Sequence, residues 1–398
     1  MKNLNRYLPT FAADYTGASH IVYEMDGMVV FFDGRACACH AAASDEPRLA
    51  LGPQLAFSVN LKLVEAVTGD DRKQIKKILN ALEFFEPKFL TLVGTPVPAV
   101  IGTDLDGIAA VIEKKSGIPC VGVNTTGFDP YDKGASKTML KLAKKFIGRD
   151  YFEAKPCDVN VLGTLACDMW DVDSVQYLER CILESGAESV CCWGADARIE
   201  EIAGADRSKL NVVTSVCGLE TAKYLEKTYG TPYVVGFPVG DKAMGEFKSS
   251  VAKILKGEGA AEPTHTDKKH SKHQKVLVIA EQLQANGIRN CLQNEYDVER
   301  VDCITFFDQD KSFAAANDKK LRDEDALTDY VQENGPYDLI IGDPVVVPVI
   351  AGSGREVIAW PHFAISGIIH MRSSFQSLGE FGTRFFDYVL QDQPVETE

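Results

Sequence analysis

FLTLVGTPVPAVIGTDLDGIAAVIEKKSGIPCVGV, residues 89–123, decides the fold class. Its first five residues are apolar but for Thr91 and are closed by Gly94, the pattern of a strand buried on both faces. A helix is expected over 108–115, with Asp104 and Asp106 at its start as caps. Gly117-Ile118-Pro119 then leads into a second strand at 120–123. Strand, helix and strand of these lengths make a βαβ unit, and so parallel strands joined by a right-handed crossover.

The same cycle recurs on both sides. Upstream, Ile21–Met25 reads as a short helix before the apolar strand at 28–32, and 72–85 reads as a helix with Ile75, Ile78, Leu79 and Leu82 on one face and Lys73, Lys76 and Lys77 on the other. Downstream, a helix at 135–147 closes a first domain, 1–150. A second domain, 151–255, repeats the cycle with strands near 159–163, 189–193, 210–213 and 233–238. KGEGAAEPTHTDKKHSKHQ, 256–274, has no apolar periodicity and reads as a linker, with His265, His270 and His273 solvated. A third domain, 275–398, has strands at 275–280, 300–307 and 337–343. Glycine returns after strand upon strand, as in doubly wound sheets. The expected architecture is α/β, three tandem Rossmann-like domains with mainly parallel sheets.

Composition bounds the function. The chain has 398 residues, too many for one ordinary core, and is 45% hydrophobic and 25% charged, hence globular. A net charge of −15 argues against nucleic-acid or anionic-membrane binding, both of which need a basic face. No apolar run reaches the length of a membrane span, and residues 1–11 lack the apolar segment of a secretion signal. A cytoplasmic location follows as the expectation, with the eleven cysteines reduced. Cys120, Cys181 and Cys303 lie in apolar patterns and read as core. Cys191 and Cys192 are adjacent in a strand and so face opposite sides. Between a strand and a helix there is no G-x-G-x-x-G, and the sequence contains no Walker A motif, G-x-S-x-G or H-E-x-x-H.

One stretch carries distinctive chemistry. In FFDGRACACH, residues 31–40, an apolar strand stops at Asp33-Gly34, and Cys37, Cys39 and His40 follow within a few positions. The crevice beyond a strand's carboxyl end is where open α/β sheets bind ligands. Thiolate suits iron–sulfur clusters and zinc. Cys37 and Cys39 are therefore the candidate metal ligands, against the alternative of two reduced cysteines in a turn.

Taken in order, FFDGRACACH, LTLVGTPVPAVIGTDLDGIAAVIEKKSGIPCVGVNTTGF, DVNVLG, KLNVVTSVCGLETAKYLEKTYGTPYVVGFPVG, PYDLIIGD and AWPHFAISG resemble the component 1 family of nitrogenase-type oxidoreductases. The likeness runs along nearly the whole chain. It departs where the family's Thr-Cys turn is Thr95-Pro96, where an early Gly-Cys is Gly17-Ala18, and where His-Gly-Pro is Asp33-Gly34-Arg35. The usual three-cysteine set is thus reduced to Cys37 and Cys39, so reduction of dinitrogen is not expected. The resemblance implies a [4Fe–4S] cluster shared across a subunit interface, with a homologous component 1 subunit or a second copy as partner. It also implies an iron-protein-like, ATP-dependent reductase, and a small-molecule or metal-cofactor substrate, or a second metal cofactor or tetrapyrrole, in the cleft between domains. Residues after strand ends are the cleft candidates: Asn124, Thr125, Cys217, His362, Ser366 and His370. Two other roles stay open: a non-catalytic scaffold or carrier for such a cofactor, and a small-molecule binding protein.

Overall fold

The computed structural model describes residues 5–50, 55–169, 172–256, 268–350, 356–369 and 376–390. Among the described residues, thirteen strands form three wholly parallel sheets. The first contains β1 (Met28–Phe32), β2 (Ala56–Ser58), β3 (Leu90–Gly94) and β4 (Cys120–Val123), in the order β2-β1-β3-β4. The second contains β5 (Val159–Leu162), β6 (Val190–Trp193), β7 (Leu210–Val213) and β8 (Tyr233–Val235), in the order β6-β5-β7-β8. The third contains β9 (Lys275–Ile279), β10 (Arg300–Thr305), β11 (Lys319–Lys320), β12 (Leu339–Gly342) and β13 (Glu356–Ala359), in the order β11-β10-β9-β12-β13. Each order reverses once, between β1 and β3, β5 and β7, and β9 and β12. Those three switch points are where doubly wound sheets open a crevice. The α/β class and the parallel Rossmann-like sheets read from the sequence are what the structure has.

The strands carry the core because helices cover both faces of each sheet. Every residue of β1, β3, β4, β5, β7 and β12 is buried. One apolar cluster runs from Val29 and Phe31 through Val161 and Trp193 to Val278 and Ile341, so the three units share a core. No helix among the described residues is long and apolar enough to cross a membrane.

Four local expectations change. The first helix is Asp14–Ile21, not 21–25. Gly17, read as a turn, is where this helix meets the helix Tyr131–Phe146. A methyl group at Gly17 would lie 1.8 Å from the Tyr131 carbonyl oxygen, and one at Gly134 would lie 1.7 Å from that of Asp14. Only glycine permits such an approach. The cysteine loop is helical, Ala36–Cys39, entered through Arg35 at φ 88°. Thr95-Pro96, matched above to a turn, opens the helix Pro96–Ile101, with proline in its first turn, where the missing N–H costs nothing. Within the expected linker, residues 257–267, including His265, lie outside the described residues. His270 is exposed, but His273 is buried, 3.4 Å from Glu356, and the Ser271 N–H bonds the Tyr296 carbonyl at 3.1 Å. Those bonds dock 271–274 beside β9, so the solvated reading does not hold for His273.

The two glycines make a sharp prediction. Gly134→Ala forces backbone apart and destabilises by about 2 kcal/mol or more. Gly245→Ala, in the helix Asp241–Lys256 with nothing within 4 Å of the added methyl, is neutral or stabilising by up to about 1 kcal/mol. Urea unfolding of both variants checks this; equal effects would contradict it.

Candidate functional site

At the first switch point, the crevice beyond β1 and β3 holds the cysteine loop. The Asp33 carboxylate, buried at the end of β1, accepts the Ala38 N–H at 2.7 Å and the Ser58 hydroxyl, which pins the short helix to the sheet. Cys37 is half-buried and Cys39 exposed, both free. The Cys37 thiol lies against the hydroxyls of Tyr15 and Thr95. Burial, with Asp33 beside it, raises this thiol above its ordinary range. It therefore stays protonated at neutral pH. His40 lies outside the pair, 3.1 Å from Asp45.

The second and third switch points face each other across Tyr131. Asp168, in the segment after β5, has one oxygen, Oδ1, that takes the Tyr131 hydroxyl and His362 Nε2, the latter at 3.0 Å. His362 Nδ1 accepts the Ala364 N–H at 3.2 Å, so the ring proton sits on Nε2 and points at Asp168. The His362 N–H in turn bonds Asp343, just beyond β12, at 2.7 Å. Phe307 lies over the imidazole with ring centroids 4.8 Å apart. The second oxygen of Asp168 is buried and has no partner among the described residues.

Other carboxyls crowd this junction. Glu281, immediately beyond β9, caps the helix Gln282–Glu295 through the N–H groups of Leu283 and Gln284, at 2.7 and 3.0 Å. It also reaches across to the Val216 N–H at 2.9 Å. Burial, with Asp168 close by, pushes Glu281 up to about 8 despite those three donors. Burial likewise pushes Asp132 up to about 6. A separate network joins the first two units. His20 Nδ1 is 3.6 Å from the Cys167 sulfur, and Nε2 is 2.9 Å from the Asp45 carbonyl and 3.3 Å from Glu46. Glu46 grips buried Arg48 in a fork, at 2.8 and 3.0 Å, and Arg48 donates to the carbonyls of Gly194 and His20. Burial lowers His20, which is thereby neutral.

Of the residues singled out from the sequence, the structure brings Cys217 and His362 to the junction. Cys217 is buried in the turn Val216–Gly218, with Asp168 near enough to help burial raise its thiol. Ser366 is buried one turn beyond His362 and donates to its carbonyl at 3.4 Å. Asn124 and Thr125 are elsewhere, at the end of β4. Thr125 donates to the Gly94 carbonyl at 2.7 Å, and Asn124 is exposed and donates to Asp106 at 3.2 Å. His370 lies outside the described residues. Asp104 does cap its helix, accepting the Gly107 N–H at 2.9 Å.

The donor sets can be compared with the groups the sequence pointed to. Among the described residues, no group of three or more His, Cys, Asp or Glu side chains is placed to hold one metal ion. Cys37 and Cys39 would supply half of the four thiolates of a [4Fe–4S] cluster, and would fit it only with a second chain. The junction does not fit a second metal or a tetrapyrrole through His362 or Cys217. Both imidazole nitrogens are engaged, and the Cys217 thiol is sealed in the core.

Three parallel Rossmann-like units, with a cysteine pair at the first switch point and the other two switch points converging, make up the described chain. The family model for nitrogenase component 1 type oxidoreductases matches residues 13–343, and the chain belongs to that family. Nitrogenase iron-molybdenum cofactor biosynthesis protein NifE of Nostoc sp. (strain PCC 7120) is 30% identical over 196 residues, 47% of this chain and 39% of that protein. The NifE of Bradyrhizobium diazoefficiens is 25% identical over 212 residues, 52% of this chain and 37% of that protein. The nitrogenase molybdenum-iron protein alpha chain of Methanosarcina barkeri is 23% identical over 202 residues, 49% and 37% of the two chains. The matches thus span less than half the length of these curated relatives. The solved structure "Nitrogenase Cp1 at pH 6.5" superposes with a TM-score of 0.73 over 98% of this chain and 93% of that chain, at 13% identity, which speaks for the fold.

Two outcomes follow from the geometry. Iodoacetamide applied to the native chain labels Cys37 and Cys39 first, since the other nine cysteines are buried; peptide mass spectrometry showing fast labelling of any third cysteine would contradict it. The second concerns pH. Glu281 rises from an ordinary 4.5 to about 8 on folding. The folded chain keeps a proton that the unfolded chain gives up above about pH 4.5, so this stability is full below that pH and is lost as pH climbs to about 8. Asp168→Asn removes the neighbouring charge and flattens the decline. Urea unfolding across this window tests it, and identical slopes in the two proteins would count against it.

Proposed function

We propose that this chain is one subunit of a two-chain component 1-type assembly that carries a [4Fe–4S] cluster between the Cys37–Cys39 face of each chain. The assembly passes electrons from an iron-protein-like, ATP-dependent reductase to a small-molecule or metal-cofactor substrate. A single observation carries the reading: of eleven free cysteines, the two that are not buried stand two residues apart at one switch point. A four-iron cluster needs four ligands, and a partner offering a like pair completes the set.

The surroundings support a protein partner there. The Cys37 thiol touches Thr95, which begins the helix Pro96–Ile101, and the Leu61 N–H bonds the Asp33 carbonyl just before the helix Leu63–Thr68. These helices flank the pair and pack on each other. Between them they expose Leu63, Val64, Val67, Val97 and Val100, side chains that favour burial in an interface. The partner is a homologous component 1-type chain or a second copy.

A second reading, a carrier of a cluster or metal cofactor during its assembly, draws on the biosynthetic names of the NifE relatives. The junction also favours it, because among the described residues both ring nitrogens of His362 are engaged and the Cys217 thiol is sealed in the core. In both readings the Cys37–Cys39 cluster is present.

Anaerobic purification with iron and sulfide analysis and an electron paramagnetic resonance spectrum tests the cluster, beside the Cys37→Ala/Cys39→Ala variant. About two iron atoms per chain, lost in the folded variant, is the expected result. Iron-free protein, or iron that persists in the variant, would overturn it. ATP-dependent oxidation of reduced iron protein by the loaded assembly then supports electron transfer, whereas release of cofactor without oxidation supports the carrier.

A further inference from the structure

A cavity unrelated to the cysteine pair opens at the carboxyl end of β6 and encloses about 200 Å³. Its walls come from the first and second units. Apolar side chains line the inner part: Met169, Val175 and Val190, with Ala166 beside them. At the rim stand Glu24, Glu179 and Asp196.

The charges in this cavity do not balance. Among the described residues the one cation in its lining is Arg48, which is already committed. Its Nε and one terminal nitrogen grip Glu46, and the rest of its guanidinium is spent on the carbonyls of His20 and Gly194 and on Glu24 at 3.4 Å. Glu24 is further occupied by the Asp196 N–H at 2.8 Å. The carboxylates of Glu179 and Asp196 pair with no cation among the described residues. Burial, with Asp196 and Glu201 nearby, raises Glu179, as expected of a carboxylate short of a counter-charge. The Cys192 side chain also opens on the cavity: the residue is 6% exposed and its sulfur has no hydrogen-bond partner among the described residues.

The shape selects the ligand class. A bare metal ion is disfavoured, because no three ligating side chains converge among the described residues. An acidic rim above an apolar floor suits a cation that carries its own hydrocarbon. We propose that this cavity binds an organic ammonium ion, its charge between Glu179 and Asp196 and its alkyl chain on Met169, Val175 and Val190, reaching toward the Cys192 thiol. The proposal does not depend on the cluster reading and survives or fails without it.

Isothermal titration calorimetry with n-hexylammonium, 1-hexanol and hexanoate tests this on the full chain. The ammonium is expected to bind about tenfold or more tighter than the alcohol, and hexanoate not to bind. In Glu179→Gln/Asp196→Asn the ammonium loses that advantage while the alcohol is unchanged. The variant keeps its backbone, because Asp196 sits at φ 58°, where asparagine is at ease, and Glu179 is only half-buried. Equal binding of the three ligands, an ammonium affinity unchanged in the variant, or no binding of any of them at millimolar concentration would each overturn the proposal.

Discussion

One carboxylate oxygen joins all three units of this chain. Asp168 of the second unit receives Tyr131 from the first and His362 from the third, and Glu281 of the third bonds the backbone of the second at Val216. Bonds to a buried charge are strong, and removing one partner strands the other. The packing beneath depends on the same geometry. Tyr131 begins the helix that Gly17 and Gly134 allow against Asp14–Ile21, and its ring sits edge-on to Phe307, which lies over His362. The junction is therefore a polar keystone inside an apolar core, and the relative placement of the switch points follows from it.

Much of this was legible in the sequence. The strands announced themselves as continuous apolar runs, because parallel strands covered by helices on both faces lose the polar alternation of a half-exposed sheet. The Cys37–Cys39 loop followed from the strand-end rule. The same rule reaches Asp168, which follows the Gly163 turn after β5, and Glu281, which directly follows the strand at 275–280. They escaped notice because an isolated acid after a strand looks like an ordinary helix cap, which Glu281 also is. Tyr131 and Arg48 carry no local signal: their roles arise from contacts more than thirty residues away in sequence, Tyr131 with His362 and Arg48 with Gly194. The helices Asp14–Ile21 and Pro96–Ile101 were hidden behind Gly17 and Pro96, residues that punctuate turns until tertiary packing assigns them another use.

The three switch points divide into one that is open and two that are filled. The first switch point faces solvent, with an exposed thiol and apolar helices around it. The other two face inward and are filled by Tyr131, His362 and Phe307. The proposed partner-dependent chemistry falls at the first, and the sealed pair holds the frame. Membership of the nitrogenase component 1 type family fits this frame, since the family match at residues 13–343 reaches all three sheets and leaves out only β13 of their strands.

The central claim is that two such chains close one cluster between their cysteine pairs. Native mass spectrometry of anaerobically purified protein, with any co-purifying chain retained, tests it directly. The account predicts a two-chain species heavier than its polypeptides by one [4Fe–4S] cluster, which separates into cluster-free single chains when iron is chelated. A single chain that carries the whole cluster, or a pair that stays together without any iron, would contradict it.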